Sequence, residues 1–190
     1  MATGFDRGRL VALLRRDALR TGRFTLASGR TSHYYVDGRT VTLSAEGAAE
    51  IGEGVLEALA DLPGVAAVGG LTMGADPIVG AALAVAGAGA RPGLRGFLVR
   101  KEAKGHGTGK LVEGPVGPGM DVVVLEDVTT TGGSALQAVA AAEALGCRVA
   151  RIITVLDRLE GAAAAFAARG LDFRPLVTIR DLGVEPLPPA

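Results

Sequence analysis

Short apolar runs alternate along this chain with small-residue stretches of helical length, and that alternation leaves few folds open to it. Val65–Val68, Gly96–Lys101, Val122–Leu125, Val149–Leu156 and Leu176–Ile179 read as strands, too short for helices and set off by Gly or polar residues. Between them lie helix signals. Leu10–Leu19 carries Leu10, Leu13, Leu14 and Ala18 on one face, and Ser44 is placed to cap a helix running to Ala60. A third helix starts at about Asp76 with Pro77 suited to its first turn. Ser134–Leu145 is a fourth, with Gly146 suited to the cap after it, and Glu160–Ala168 a fifth. Phe24–Asp37 reads as loop and short strands. The pattern predicts an α/β fold with a mostly parallel central sheet and helices on both faces. Neither a repeat nor a linker interrupts it, so residues 1–190 are expected to form one domain.

Composition excludes several kinds of function. With 48% hydrophobic residues the chain can fill a core, and a formal net charge of zero offers no field to attract nucleic acid or an anionic membrane. One cysteine, Cys147, and two distant histidines, His33 and His106, argue against an internal disulfide and a structural zinc site. The apolar run Ala75–Ala90 is too short and too Gly-rich to span a bilayer, contains Asp76, and predicts a buried, closely packed helix. Met1–Arg16 holds four arginines and no apolar core of signal-peptide type, which makes the cytoplasm the expected location. The chain has twenty basic residues but only three lysines, and all three (Lys101, Lys104, Lys110) fall within ten positions. That clustering points to a local need for a compact, mobile ammonium.

The segment from Asp121 to Ser134 carries the most chemistry. An apolar run delivers two adjacent carboxylates, Glu126 and Asp127, followed by Val128, Thr129, Thr130, Thr131, Gly132, Gly133 and Ser134 and then a helix. In an open α/β sheet this is the edge where ligands bind. Glycines let the backbone curl so that amides and hydroxyls converge on one anion, and the helix N-terminus adds partial positive charge. Carboxylates beside a phosphate cradle would repel the ligand unless it also brings hydroxyls or a cation. A ribose 5-phosphate brings the hydroxyls. The plain alternative is a βα turn with N-capping threonines, but the acid pair, the threonine triplet and the double glycine together favour the ligand site. The stretch Gly105–Lys110 is not a rival phosphate loop: Lys104 and Leu111 stand where a P-loop needs Gly and Ser or Thr.

Arg100, Lys101, Lys104 and His106 sit at a strand end before a Gly-rich connection, and such a loop suits a cationic lid closing over an anionic leaving group. At this point a resemblance enters. Glu126–Ser134 is similar to the signature of type I phosphoribosyltransferases. With Phe24–Arg30, Tyr34–Asp37, the run Arg100-Lys-Glu-Ala-Lys-Gly-His106-Gly and Leu156-Asp-Arg158, the chain resembles the orotate phosphoribosyltransferases from about Phe24 to Arg158.

The resemblance implies the type I phosphoribosyltransferase fold with a small hood built from N-terminal segments. It implies transfer of a phosphoribosyl group from 5-phosphoribosyl 1-diphosphate to orotate with Mg²⁺, in pyrimidine nucleotide synthesis. In that picture Arg100, Lys101, Lys104 and His106 contact the diphosphate, some of them in the other subunit of a homodimer. Thr130 and Arg158 contact orotate, Tyr35 and Val36 lie against it, and Glu126 and Asp127 hold the ribose and a water-bridged Mg²⁺. Lys101, Lys104, His106 and Asp127 are the implied catalytic set. Taken alone, Arg158 reads equally as a fork for a ligand carboxylate or as a surface charge at a helix start. The sequence departs from the family pattern at Ala27, Thr72-Met73 and Gly105, where relatives carry Lys, an aromatic–Lys pair and Asp, and at Glu126, which replaces an aspartate. Two rival readings share the phosphate loop: a purine-base phosphoribosyltransferase, and a non-catalytic regulator of the same fold.

Overall fold

The computed structural model describes residues 4–25, 29, 31–89, 91–102 and 110–188. The chain opens with α1 (Arg7–Leu13), capped by the Asp6 carboxylate on the Arg9 amide, and runs on through a wide helical turn to Ala18. β1 (Leu19–Thr25) and β2 (Thr31–Val36) form a separate two-stranded antiparallel sheet, which is the small N-terminal hood. The helix expected to reach Leu19 therefore stops one residue earlier, where Leu19 pairs with Val36 across the hood. After the short α2 (Arg39–Thr42) comes α3 (Ala45–Ala58), whose first turn is capped as expected by Ser44, its hydroxyl accepting the Gly47 amide at 3.0 Å.

The remaining strands are β3 (Ala67–Leu71), β4 (Arg95–Val99), β5 (Val112–Glu113), β6 (Asp121–Thr129), β7 (Arg148–Asp157) and β8 (Phe173–Thr178), interleaved with α4 (Asp76–Ala88), α5 (Gly133–Ala144) and α6 (Ala162–Ala167). They form one six-stranded sheet in the order β5-β4-β3-β6-β7-β8. Every neighbouring pair is parallel except β4 with β5. The two-residue β5 lies inside what reads from sequence as a long Gly-rich connection, 102–119. Two paired residues are too few to leave a periodic signal.

Alternation along β6 explains the layering. Val123 and Leu125 join the core shared with α1, α3 and α4, while Val122 and Val124 join the one shared with α5 and α6. Each fully buried side chain of this size stabilises the fold by about 1.5–3 kcal/mol relative to exposure. The glycines expected to end the strand at Val68 lie inside β3 instead. A Cβ on Gly69 would stand 2.2 Å from the Phe97 carbonyl oxygen, and one on Gly70 would stand 2.2 Å from that of Leu125. Only glycine lets β3 run between those neighbours. The helix read as buried and closely packed, α4, buries one face through Ile78, Val79, Ala82 and Ala86 and leaves Gly80, Ala84 and Gly87 exposed. Its close packing comes from α3, where a Cβ on Gly52 would meet the Ala81 carbonyl oxygen at 2.8 Å.

Candidate active site

β6 runs on past Leu125 and carries Glu126 and Asp127 toward the carboxyl end of the sheet. Glu126 is buried, and its Oε2 has no hydrogen-bond partner among the described residues. Burial, and secondarily the neighbouring Asp127, push its carboxyl up to about 8. The Asp127 Oδ1 accepts the Val128 amide at 2.8 Å. Two glycines from distant segments allow close approach to this pair. A Cβ on Gly74 would lie 2.9 Å from Asp127 Oδ1 and 3.3 Å from Glu126 Oε1, and one on Gly38 would lie 2.8 Å from Val128 Cγ2. The loops after β3 and β2 thus wall the acid pair, a role for Gly74 and Gly38 that no local sequence signal announces.

The loop after β6 turns sharply into α5. Gly132 has φ +87°, and a Cβ there would strike the buried Phe166 ring at 2.6 Å, so the position is closed to other residues on two counts. Gly132 is also the N-cap of α5 and offers no side chain to the helix's first amides, while Gly133 and Ser134 are exposed. A helix terminus with open amides is suited to an anion. The Thr129 hydroxyl is buried without a partner among the described residues. A hollow of about 30 Å³ lies between Glu126 and Ser134, room for a water rather than a sugar phosphate, so a ligand must lie across the opening. A much larger hollow, about 990 Å³, is a lateral groove between α3 and α4 walled mainly by alanine and leucine. It holds none of the acid pair or the loop, which line the smaller hollow.

The structure brings Tyr34 of β2 and Arg158 after β7 into contact near the same loop. β2 alternates between buried Ser32, Tyr34 and Val36 and exposed Thr31, His33 and Tyr35, and the Tyr35 ring lies 5.8 Å from that of Phe24. Arg158 follows β7, and its amide donates to the Thr129 carbonyl at 2.9 Å. The reading of Arg158 as a surface charge is corrected, because the residue is only 8% exposed. Its Nε donates to the Tyr34 hydroxyl at 3.3 Å, and its Nη2 lies 2.7 Å from Glu160 Oε1, close but poorly aligned for an N–H···O bond. Tyr34 and Glu160, the partners of Arg158, are not among the site residues expected from the sequence.

On the lid side, Arg100 pairs with Glu113 at 3.1 Å across β4 and β5. Lys101 is exposed, and its carbonyl accepts from Gln137 Nε2 of α5 at 3.2 Å. Lys104, Gly105 and His106 lie outside the described residues, as does Ala27. Met73 is 73% exposed beside the acid pair's glycine neighbour. Oxygen donors of the Glu126–Asp127 type fit a hard divalent cation such as Mg²⁺, and no group of three or more His, Cys, Asp or Glu among the described residues forms a cage on its own. Such a pair suits a metal that keeps water and substrate oxygens in its shell.

No protein-family model matches the chain. Curated relatives do. Orotate phosphoribosyltransferase of Rhodopirellula baltica is 51% identical over 186 residues, covering 95% of this chain and 96% of that protein. The chain belongs to the orotate phosphoribosyltransferase family. Solved members of this family agree in fold. The Mycobacterium tuberculosis H37Rv orotate phosphoribosyltransferase in complex with Fe(III) dicitrate superposes with a TM-score of 0.83 at 45% identity, over 94% of this chain and 99% of that one. The same enzyme in complex with 5-phospho-α-D-ribosyl 1-diphosphate gives 0.79 at 42% identity, over 94% and 99%.

Proposed function

We propose that this protein transfers the 5-phosphoribosyl group from 5-phosphoribosyl 1-diphosphate to orotate, giving orotidine 5′-monophosphate and diphosphate for pyrimidine nucleotide synthesis in the cytoplasm. The observation that carries the reading is the acid pair at the end of β6 joined directly to the uncapped N-terminus of α5. The 5-phosphate meets the amides and hydroxyls of Thr129–Ser134, and Glu126 and Asp127 take the ribose hydroxyls. Tyr35 and Val36 border the base, and Arg158 receives its carboxylate.

In the reaction a ring nitrogen of orotate loses its proton and forms the bond to the anomeric carbon. The diphosphate oxygen leaves with the bonding pair. No protein nucleophile is required; positioning and charge neutralisation supply the acceleration. Mg²⁺, held with substrate oxygens near Glu126 and Asp127, would neutralise charge building on the diphosphate. Lys101, with Arg100, Lys104 and His106 of the lid, serves the same leaving group, and in a homodimer at least one lid lysine acts on the partner subunit's site.

Orotate consumption, followed by ultraviolet absorbance with 5-phosphoribosyl 1-diphosphate and Mg²⁺, tests the reading. Orotate is expected to disappear, and Asp127→Asn to weaken use of the phosphoribosyl donor with the fold intact. Turnover of hypoxanthine or adenine in place of orotate would overturn the acceptor assignment. Mixing inactive Lys104→Ala and Asp127→Asn proteins tests the shared site: activity returns on subunit exchange if Lys104 crosses the interface, and stays absent if it does not.

A further inference from the structure

Three buried polar side chains close a ring beneath the hood. Tyr34 (0% exposed), Arg158 (8%) and Glu160 (5%) come from β2 and from the segment after β7. The Arg158 Nε donates to the Tyr34 hydroxyl at 3.3 Å, and that hydroxyl donates to Glu160 Oε1 at 3.2 Å. Glu160 Oε1 returns to the Arg158 Nη2 at 2.7 Å, and the guanidinium carbon lies 4.9 Å from the Tyr34 ring centroid. The segment is laced to the phosphate loop at both ends, by the Arg158 amide to the Thr129 carbonyl at 2.9 Å and the Ala162 amide to the Thr130 carbonyl at 3.2 Å.

A buried ion pair is a poor device for stability, since apolar side chains of the same volume serve as well. This one also leaves a donor over. Arg158 Nη2 is buried without an aligned acceptor among the described residues. A guanidinium carries five N–H donors in a rigid fork, and Tyr34 and Glu160 fix its plane while using only part of it. A fork already held in one rotamer loses little freedom when a planar carboxylate arrives.

We propose that Glu160 and Tyr34 are positioning residues that hold the Arg158 fork for the carboxylate of the acceptor base, and so select an acidic pyrimidine over one lacking that group. The proposal rests on the acceptor assignment made above. Its electrostatic sign makes it testable. Glu160 is an anion beside the place where another anion would bind, and buried Asp157 is a second acid in the same segment. If charge alone mattered, removing Glu160 would tighten orotate binding. If positioning matters, removing it weakens binding.

The test is steady-state kinetics with orotate and uracil as acceptors for wild type, Glu160→Gln, Tyr34→Phe, Arg158→Ala and the two double variants with Arg158→Ala. Both Glu160→Gln and Tyr34→Phe are expected to raise the orotate KM and lower the orotate-to-uracil ratio of kcat/KM by about tenfold, the effect of one misplaced charge-assisted bond. The KM for 5-phosphoribosyl 1-diphosphate should stay within about twofold, since those contacts are not touched. In the Arg158→Ala background neither change should move the ratio further, which a merely structural role would not produce. An unchanged or lower orotate KM, or an equal loss in the Arg158→Ala background, overturns the proposal while orotate turnover by the wild type leaves the acceptor assignment standing. A wild type that ignores orotate removes the acceptor assignment itself. If Glu160→Gln does not fold, Tyr34→Phe, which deletes only the hydroxyl, decides by the same criteria.

Discussion

Replacing Glu126 by Gln should stabilise the fold at alkaline pH while impairing the enzyme. The carboxyl is buried and stands next to Asp127, and its folded value is raised from 4.5 to about 8. A group raised on folding favours the folded state below its unfolded value and loses that contribution as pH climbs through the folded value. Wild type therefore carries a growing cost between about pH 5 and pH 9 that an amide, which never ionises, does not. At 1.36 kcal/mol per pH unit the ceiling over that span is about 4 kcal/mol. Water entry and relaxation at an open sheet edge reduce it to about 2 kcal/mol. For a chain of this length that is a melting-point gap widening by roughly 4–8 °C. Urea unfolding of both proteins at pH 5 and pH 9 measures it, and titrating groups that do not interact with Glu126 cancel in the difference. The expected result is a gap that opens in favour of Glu126→Gln as pH rises, with loss of donor-substrate affinity. A gap that stays constant, or opens the other way, would refute the claim that the folded state opposes ionisation of this carboxyl.

Three further changes test other parts of the architecture. Gly132→Ala combines a φ of +87° with a ring contact at 2.6 Å and should cost about 2–4 kcal/mol, read as a lower denaturation midpoint with unchanged m-value. Gly74→Ala places a methyl 2.9 Å from Asp127 Oδ1 and should raise the KM for the phosphoribosyl donor more than tenfold, by about 1.4 kcal/mol or more, with little change in thermal stability. Arg151→Ala removes a buried guanidinium that donates to the Ala58 carbonyl and pairs with Asp61 and Asp172, and should lower stability by about 2–3 kcal/mol, whereas Arg148→Ala on the exposed Asp121 pair should leave the melting point unchanged.

Much of this was legible because it is local. Ser44 and Gly146 act within one helical turn of their own positions, and Pro77 opens α4, so each could be read from its neighbours. The acid pair and loop occupy nine consecutive residues, and the ligand chemistry they imply needs no knowledge of the rest of the fold. What escaped is long-range. Tyr34 and Glu160 are 126 positions apart, and nothing in the run around either announces the other. Arg158 divided evenly between ligand fork and surface charge until burial separated the two readings. Gly69 and Gly70 look like strand terminators in sequence, and only the backbones of β4 and β6 on either side reveal why they belong inside β3.

The hood strand β2 has a consequence for how this chain can vary. Its buried side, Ser32, Tyr34 and Val36, anchors the hood, while its open side offers His33 and Tyr35. Both sets are fixed by one period-two repeat, so inserting or deleting a single residue within the strand would exchange them wholesale. The hydroxyl that reaches Arg158 would swing outward and the exposed ring would be driven into the core. A bulge between Thr21 and Phe24 on the facing strand β1 already absorbs one irregularity in the pairing. Within the hood, a length change is therefore better absorbed on β1 than on β2, and the spacing of β2 from Asp37 is as much a determinant of the site as any side chain in it.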